Sequence, residues 1–218
     1  MQQLPYEDVE KAIHKSQHCQ RNWDLSKEIS ERDLDLFMTA VGECPSKQNL
    51  AFYKTHFITN REMIERIHAC TDGFVFDFET GASTTNSQTL ANLLVVFEEV
   101  PVHAAGDLAS RNVQTLDLQT TGGSTETKET LARDRDMAVG IAAGYLNLTA
   151  NLFGYSTGCC ACFDETGVAK ALGSGNRPVL LMGIGYKNET VGRRVHHKHP
   201  DFLFPTKAKQ KIEVNVIR

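Results

Sequence analysis

With 218 residues, 41% of them hydrophobic and 23% charged, the chain has the make-up of an ordinary globular domain, long enough to bury a core without disulfide staples. Its net charge of −4 argues against a general nucleic-acid binder, and apolar runs such as 178–182 are far too short to span a membrane. The first ten residues have neither a basic start nor an apolar run, so no secretion signal is expected. Cys19, Cys44, Cys70, Cys159, Cys160 and Cys162 are then expected to be reduced thiols in the cytoplasm.

In chain order, residues 5–15 read as a helix with Val9, Ala12 and Ile13 on one face. Ser30 and Asp33 form a capping-box pattern before a second helix, whose stripe is Leu34, Phe37, Met38 and Val41. Pro45 ends that stretch. Residues 51–59 alternate like a strand, and Asn60 can cap a helix carrying Met63, Ile64 and Ile67. Residues 93–97 form a buried-type strand. Residues 106–130, rich in Thr, Gly, Ser and Gln, read as a surface excursion.

Residues 131–152 predict the longest helix, with Met137, Ile141, Tyr145, Leu148 and Leu152 as apolar positions and Ala138, Gly140, Ala142, Ala143 and Gly144 as small ones. Apolar and small positions nearly encircle it, which implies burial on more than one side. Asp164 is placed to cap a short helix over 165–172, with Gly173 as its stop. Residues 179–184 read as a central strand, and 187–218 form a C-terminal extension. The order predicts an α+β class fold, one domain over 1–218, with helices around a modest sheet.

Two polar clusters stand out near the N-terminus. The first runs from His18 through Cys19, Gln20, Arg21 and Asn22 to Trp23. The second is Pro45-Ser46-Lys47-Gln48-Asn49. Each offers cations, hydroxyls or amides at a helix boundary, where free backbone N–H groups also attract anions. Together they suit one phosphorylated, planar ligand. Taken singly, Arg21 fits a surface ion pair, and Ser46 and Asn49 fit turn and cap roles. Only the ordered set points to a ligand.

That set resembles the FMN-dependent nitroreductase family. The family's signature is roughly R-x-S-x-R/K-x-F, then A-P-S-x-x-N-x-Q-P-W, then a strand. Residues 17–23 take the first position and residues 44–53 the second. Further on, residues 131–152, the 154–158 loop, Cys162-Phe163-Asp164 and residues 182–186 are similar to the family's long helix, glycine-ended loop, G-F-D-like turn and final strand.

The resemblance implies a nitroreductase-like fold, a mostly antiparallel central sheet surrounded by helices, in an intertwined homodimer. It implies bound FMN in sites built from both subunits. It also implies NADH or NADPH as electron donor, and nitroaromatics, quinones or related small molecules as acceptors, by a ping-pong mechanism. Carried over by position, Gln17, His18, Cys19 and Arg21 would line the flavin from the first motif, with Arg21 at its pyrimidine edge or phosphate. Ser46, Lys47 and Asn49 would line it from the second. Asn86 and Gln88 match polar residues before the strand ending at Phe97. The backbone N–H groups of Ala161 and Cys162, next to Cys160, match those that face flavin N5 and O4. Lys207 and Lys209, or Arg193 and Arg194, would hold the phosphate.

The chain departs from the pattern where Gln17 replaces an arginine, Cys19 a serine, and Ala51-Phe52-Tyr53 the usual Gln-Pro-Trp. Those departures motivate an alternative, a flavin-sequestering protein with little turnover. A further alternative is a metal-binding protein using Cys159 to Cys162 with the His196, His197 and His199 cluster, which is otherwise read as solvated. No G-x-G-x-x-G follows a strand, so a Rossmann site is not expected.

Overall fold

A computed structural model describes residues 4–75, 79, 83–100 and 128–217. The segment 106–127 of the expected excursion lies outside the described residues, and 128–130 belong to a helix. The elements in order are α1 (Tyr6–Ser16), α2 (Glu31–Gly42), β1 (Tyr53–Ile58), α3 (Arg61–His68), β2 (Leu93–Glu99), α4 (Lys128–Leu152), β3 (Ser156–Cys160), α5 (Glu165–Leu172) and β4 (Pro178–Gly185). Among the described residues four strands form one sheet in the order β1-β2-β4-β3, antiparallel throughout. The fold is α+β, as expected. No described helix is long and apolar enough to cross a membrane.

Local chemistry sets the helix ends. The Ser30 hydroxyl accepts from the Asp33 backbone N–H, Asn60 from that of Met63, and Asp164 from that of Thr166. Each satisfies a donor the first turn leaves orphaned. Gly173 closes α5 at φ 67°, a left-handed conformation that costs glycine little. Replacing Asn60 with Ala is expected to lower unfolding free energy by about 1 kcal/mol, read as a shifted urea midpoint at unchanged slope.

Burial of β2 is nearly complete, which makes it the centre of the core. One face of the sheet packs with Phe37, Val41, Val139, Ala142, Leu146 and Tyr155 from the α2–α4 side. The other packs with Ile64, Ile67 and Val168 from α3 and α5. Glu98 is buried within this sheet. Its Oε2 takes hydrogen bonds from His56 (2.9 Å) and Ser174 (2.9 Å) and an ion pair from Lys54 (2.9 Å). Burial raises its pKa, but those donors outweigh it and hold the carboxyl below the usual range.

Three expectations need correction. Residues 154–158 were expected as a loop, yet Ser156–Cys160 is a strand, paired along its whole length with β4. On α4 the core face is the small one: Ala138, Val139, Ala142, Ala143, Leu146 and Ala150 are buried, whereas Met137, Ile141 and Tyr145 are exposed. A Cβ added at Gly140 or Gly144 would meet only open space. The helix therefore has a second, open apolar stripe. Finally, His196 is not solvated but fully buried, between Thr85 and the aromatic ring of Phe204.

Candidate functional site

Around β3 part of the predicted set meets: Arg21, Asn86, Gln88, Cys160 and Arg193. Segment 20–23 runs beside it, with the Gln20 N–H on the Thr157 carbonyl at 2.8 Å. A Cβ on Gly158 would lie 2.7 Å from Gln88 Cβ and 2.8 Å from the Gln20 oxygen, so only glycine lets the three segments come together. The Gln88 amide donates to the Cys159 carbonyl, and Asn86 Nδ2 donates to the Cys160 sulfur at 3.1 Å. Ser87 Oγ donates to the Arg21 carbonyl at 2.9 Å, and the Arg21 N–H donates to the Arg193 carbonyl at 3.1 Å.

This framework gathers cations. The Arg21 guanidinium lies over the Phe204 ring, 4.7 Å from its centroid. Arg21 Nη1 and Arg193 Nη1 share the Cys19 carbonyl, each at 3.4 Å. Arg194 Nε donates to the Phe204 carbonyl at 2.7 Å. Burial pulls the Arg21 pKa down, the nearby Cys19 opposes this, and Arg193 and Arg194 lower it further. Burial lowers the His18 pKa too, and Arg193 and Lys209 act in the same direction.

No described carboxylate pairs with Arg21, Arg193 or Arg194, and Arg21 Nε is buried with no partner. Guanidiniums held together without a counter-charge, one carrying an orphaned buried donor, suit a phosphate.

The other predicted residues lie elsewhere or contribute differently. The Gln17 side chain is exposed and turns back to the His14 carbonyl at 2.9 Å. Ser46 Oγ donates to the Leu50 carbonyl at 2.8 Å, and Lys47 pairs with the buried Asp134 of α4 at 2.6 Å. Asn49 adopts a left-handed φ of 56°. This second motif is thus anchored to α4 and to its own turn. Ala161 and Cys162 are exposed just beyond β3. Lys207 and Lys209 sit on an exposed tail; of the two, Lys209 acts on His18.

Trp23, the end of the first cluster, is buried with its indole N–H on the Ser87 carbonyl at 2.9 Å. Two further participants, Phe204 and His196, were not expected at the site. Phe204 and His196 stack at 5.6 Å behind Arg21. The Phe202-Leu203-Phe204 run inside a basic extension was the available signal that this segment packs down. Among the described residues no group of His, Cys, Asp and Glu side chains is gathered as a metal ion would require.

A central antiparallel sheet sandwiched by helices, with a cation cluster at one strand end, defines a class that the comparisons specify. The chain belongs to the nitroreductase family, whose profile matches residues 15–186. Solved structures agree on the fold. A nitroreductase family protein from Streptococcus pneumoniae is 15% identical, with a TM-score of 0.62 over 92% of this chain and 96% of that one. A protein from Exiguobacterium sibiricum, assigned as a nitroreductase and solved in complex with FMN, is 14% identical, with a TM-score of 0.62 over 90% and 94%. An enone reductase of gut-bacterial fatty acid saturation is 16% identical, with a TM-score of 0.64 over 86% and 91%. No curated protein matches the sequence significantly.

Proposed function

We propose that the protein is a cytoplasmic FMN-dependent oxidoreductase. It would take electrons from NADH or NADPH and pass them to nitroaromatic, quinone or related acceptors. The observation that carries this is the Arg21–Arg193–Arg194 cluster with its orphaned Nε, beside β3 in a nitroreductase-family fold. Bound FMN would supply the electron transfer.

The chain's own residues bind and orient. The three arginines hold the phosphate, with Lys209 adding positive charge nearby and His18 a neutral imidazole beside them. The amides of Ala161 and Cys162 orient the ring. Asn86 and Gln88 fix the strand end that presents those amides. No side chain is asked to abstract a proton.

Ser46, Lys47 and Asn49 contribute to a flavin site in this reading through a second subunit. The open stripe of Met137, Gly140, Ile141, Gly144 and Tyr145 on α4 is the surface that a homodimer would cover. Replacing Ile141 with Asp is then expected to yield a monomer with strongly reduced FMN retention. Light scattering at micromolar concentration checks it; a variant that stays dimeric contradicts this use of the stripe.

The catalytic reading is tested by adding NADH or NADPH anaerobically to the FMN-loaded protein. Bleaching of the flavin bands, recovery on adding a quinone or nitroaromatic, and parallel double-reciprocal plots are expected. A flavin that is bound but stays oxidised with both donors would instead support sequestration. That alternative draws on the exposed Gln17, whose amide donates to the His14 carbonyl where the family pattern has an arginine.

A further inference from the structure

Cys160 ends β3 with its side chain buried, and Cys162, two residues on, is exposed. The Cys160 thiol donates to the Cys162 carbonyl at 3.4 Å, so the chain bends back over its sulfur. Two residues of chain span at most about 7 Å. A disulfide needs Cα atoms roughly 4.4–6.8 Å apart. A Cys-Ala-Cys segment bent below that limit can reach this window.

The pair is wired to its surroundings. Asn86 Nδ2 donates to the Cys160 sulfur at 3.1 Å. The Cys162 carbonyl also accepts from the Asp72 N–H at 2.9 Å. Cys44 is engaged with Val41 and Tyr53, and Cys70 with Arg66, whereas Cys19 lies near enough to act on Cys159 and Cys160 and is the competing thiol. Cys159 points to the opposite face of the strand.

We infer that Cys160 and Cys162 are a redox-active thiol pair, closed to a disulfide by small-molecule disulfides, and that closure weakens the adjoining flavin site. The second half rests on the FMN reading above. Cys162 is the sulfur that solvent reaches, so it acts first. As thiolate it attacks R–S–S–R, whose S–S bond breaks; R–S⁻ leaves and takes up the proton that Cys162 gave to water. Cys160 then attacks the Cys162 sulfur, releases its proton, and expels the second R–S⁻, which is protonated in turn. Two protein thiols are oxidised to one disulfide, and R–S–S–R is reduced to two R–SH. Burial pushes the Cys160 thiol up to about 11, so the solvent-facing Cys162, not Cys160, makes the first attack.

Closure draws the Cys160 sulfur off Asn86 and re-angles the Ala161 and Cys162 amides. So tight a ring is strained, and strained disulfides are the reversible, regulatory kind.

The test treats purified FMN-loaded protein with oxidised glutathione, caps the free thiols, and weighs and fragments the tryptic peptide 136–170. The expected peptide is lighter by two hydrogens, with the bond mapped to Cys160–Cys162. That loss persists in Cys159→Ser and vanishes in Cys162→Ser. FMN affinity of the oxidised protein falls roughly three- to tenfold, the loss of one hydrogen bond, and dithiothreitol restores it. A bond from Cys160 to Cys19, or a lasting adduct on Cys162 with Cys160 still open to capping, overturns the pair. Unchanged FMN affinity in the closed protein overturns the switch. If FMN binds neither form, the flavin reading fails, while the peptide mass still decides the thiol chemistry.

Discussion

Replacing Arg21 with Ala is expected to weaken FMN binding by roughly ten- to a hundredfold, the value of a hydrogen bond to a charged group. The expectation follows from where the side chain sits. It is half-buried, stacked on Phe204, flanked by Arg193 and Arg194, and pairs with no described carboxylate. A guanidinium in that setting carries a desolvation cost that a bound phosphate would offset. Removing it costs folding little, because the cation–π contact contributes only about 1 kcal/mol and the buried positive charge disappears with it. Titration of FMN fluorescence against the apoprotein, beside urea unfolding of the same samples, separates the two effects. Wild-type FMN affinity in the variant would reduce Arg21 to a packing residue.

Acid is expected to destabilise the protein well before its carboxylates titrate. His68 and His196 are both buried and share the Thr85 hydroxyl, at 2.7 and 3.4 Å. Burial, helped by Lys198 for His68 and by His199 for His196, lowers each pKa to about 4. The unfolded value is about 6.5, so the unfolded chain binds protons first. Stability is therefore full above about pH 6.5 and falls as pH drops towards 4. At about 1.4 kcal/mol per pKa unit, each histidine costs on the order of 3 kcal/mol at the bottom of that window. Urea midpoints of the apoprotein at pH 7.5 and pH 5 check this. Equal midpoints would mean that these rings titrate as though exposed.

The helix ends were legible because the residues that set them are local. Ser30, Asn60, Asp164 and Gly173 each act within one turn of their own position. The buried strand β2 was legible from its unbroken apolar run. Strand β3 was not. Its sequence, Ser-Thr-Gly-Cys-Cys, is small and glycine-bearing, and it becomes a strand through pairing with β4 and close packing on Gln20 and Gln88.

The orientation of α4 was hidden for a different reason. Both its faces are apolar, and only the tertiary packing shows that the smaller side chains face the core while Met137, Ile141 and Tyr145 point out. His196 looked solvated among its charged neighbours, because the partners that bury it, Thr85 and Phe204, are distant in sequence or unreadable as a clamp. For the candidate site, motif order brought out Arg21, Asn86, Gln88 and the Cys160–Cys162 segment. It could not choose among the late basic residues. Backbone pairing places Arg193 and Arg194 beside Arg21, because the Arg193 carbonyl accepts from Arg21 and Arg194 is locked to Phe204, and it is this proximity on which the proposed phosphate site draws.

The central claim is that this fold and cation cluster hold FMN, and the visible spectrum of the purified protein tests it most directly. The account predicts the bands of oxidised flavin, with FMN released on denaturation in amounts equal to the subunits present. A colourless protein that also leaves FMN fluorescence unchanged on titration would contradict it.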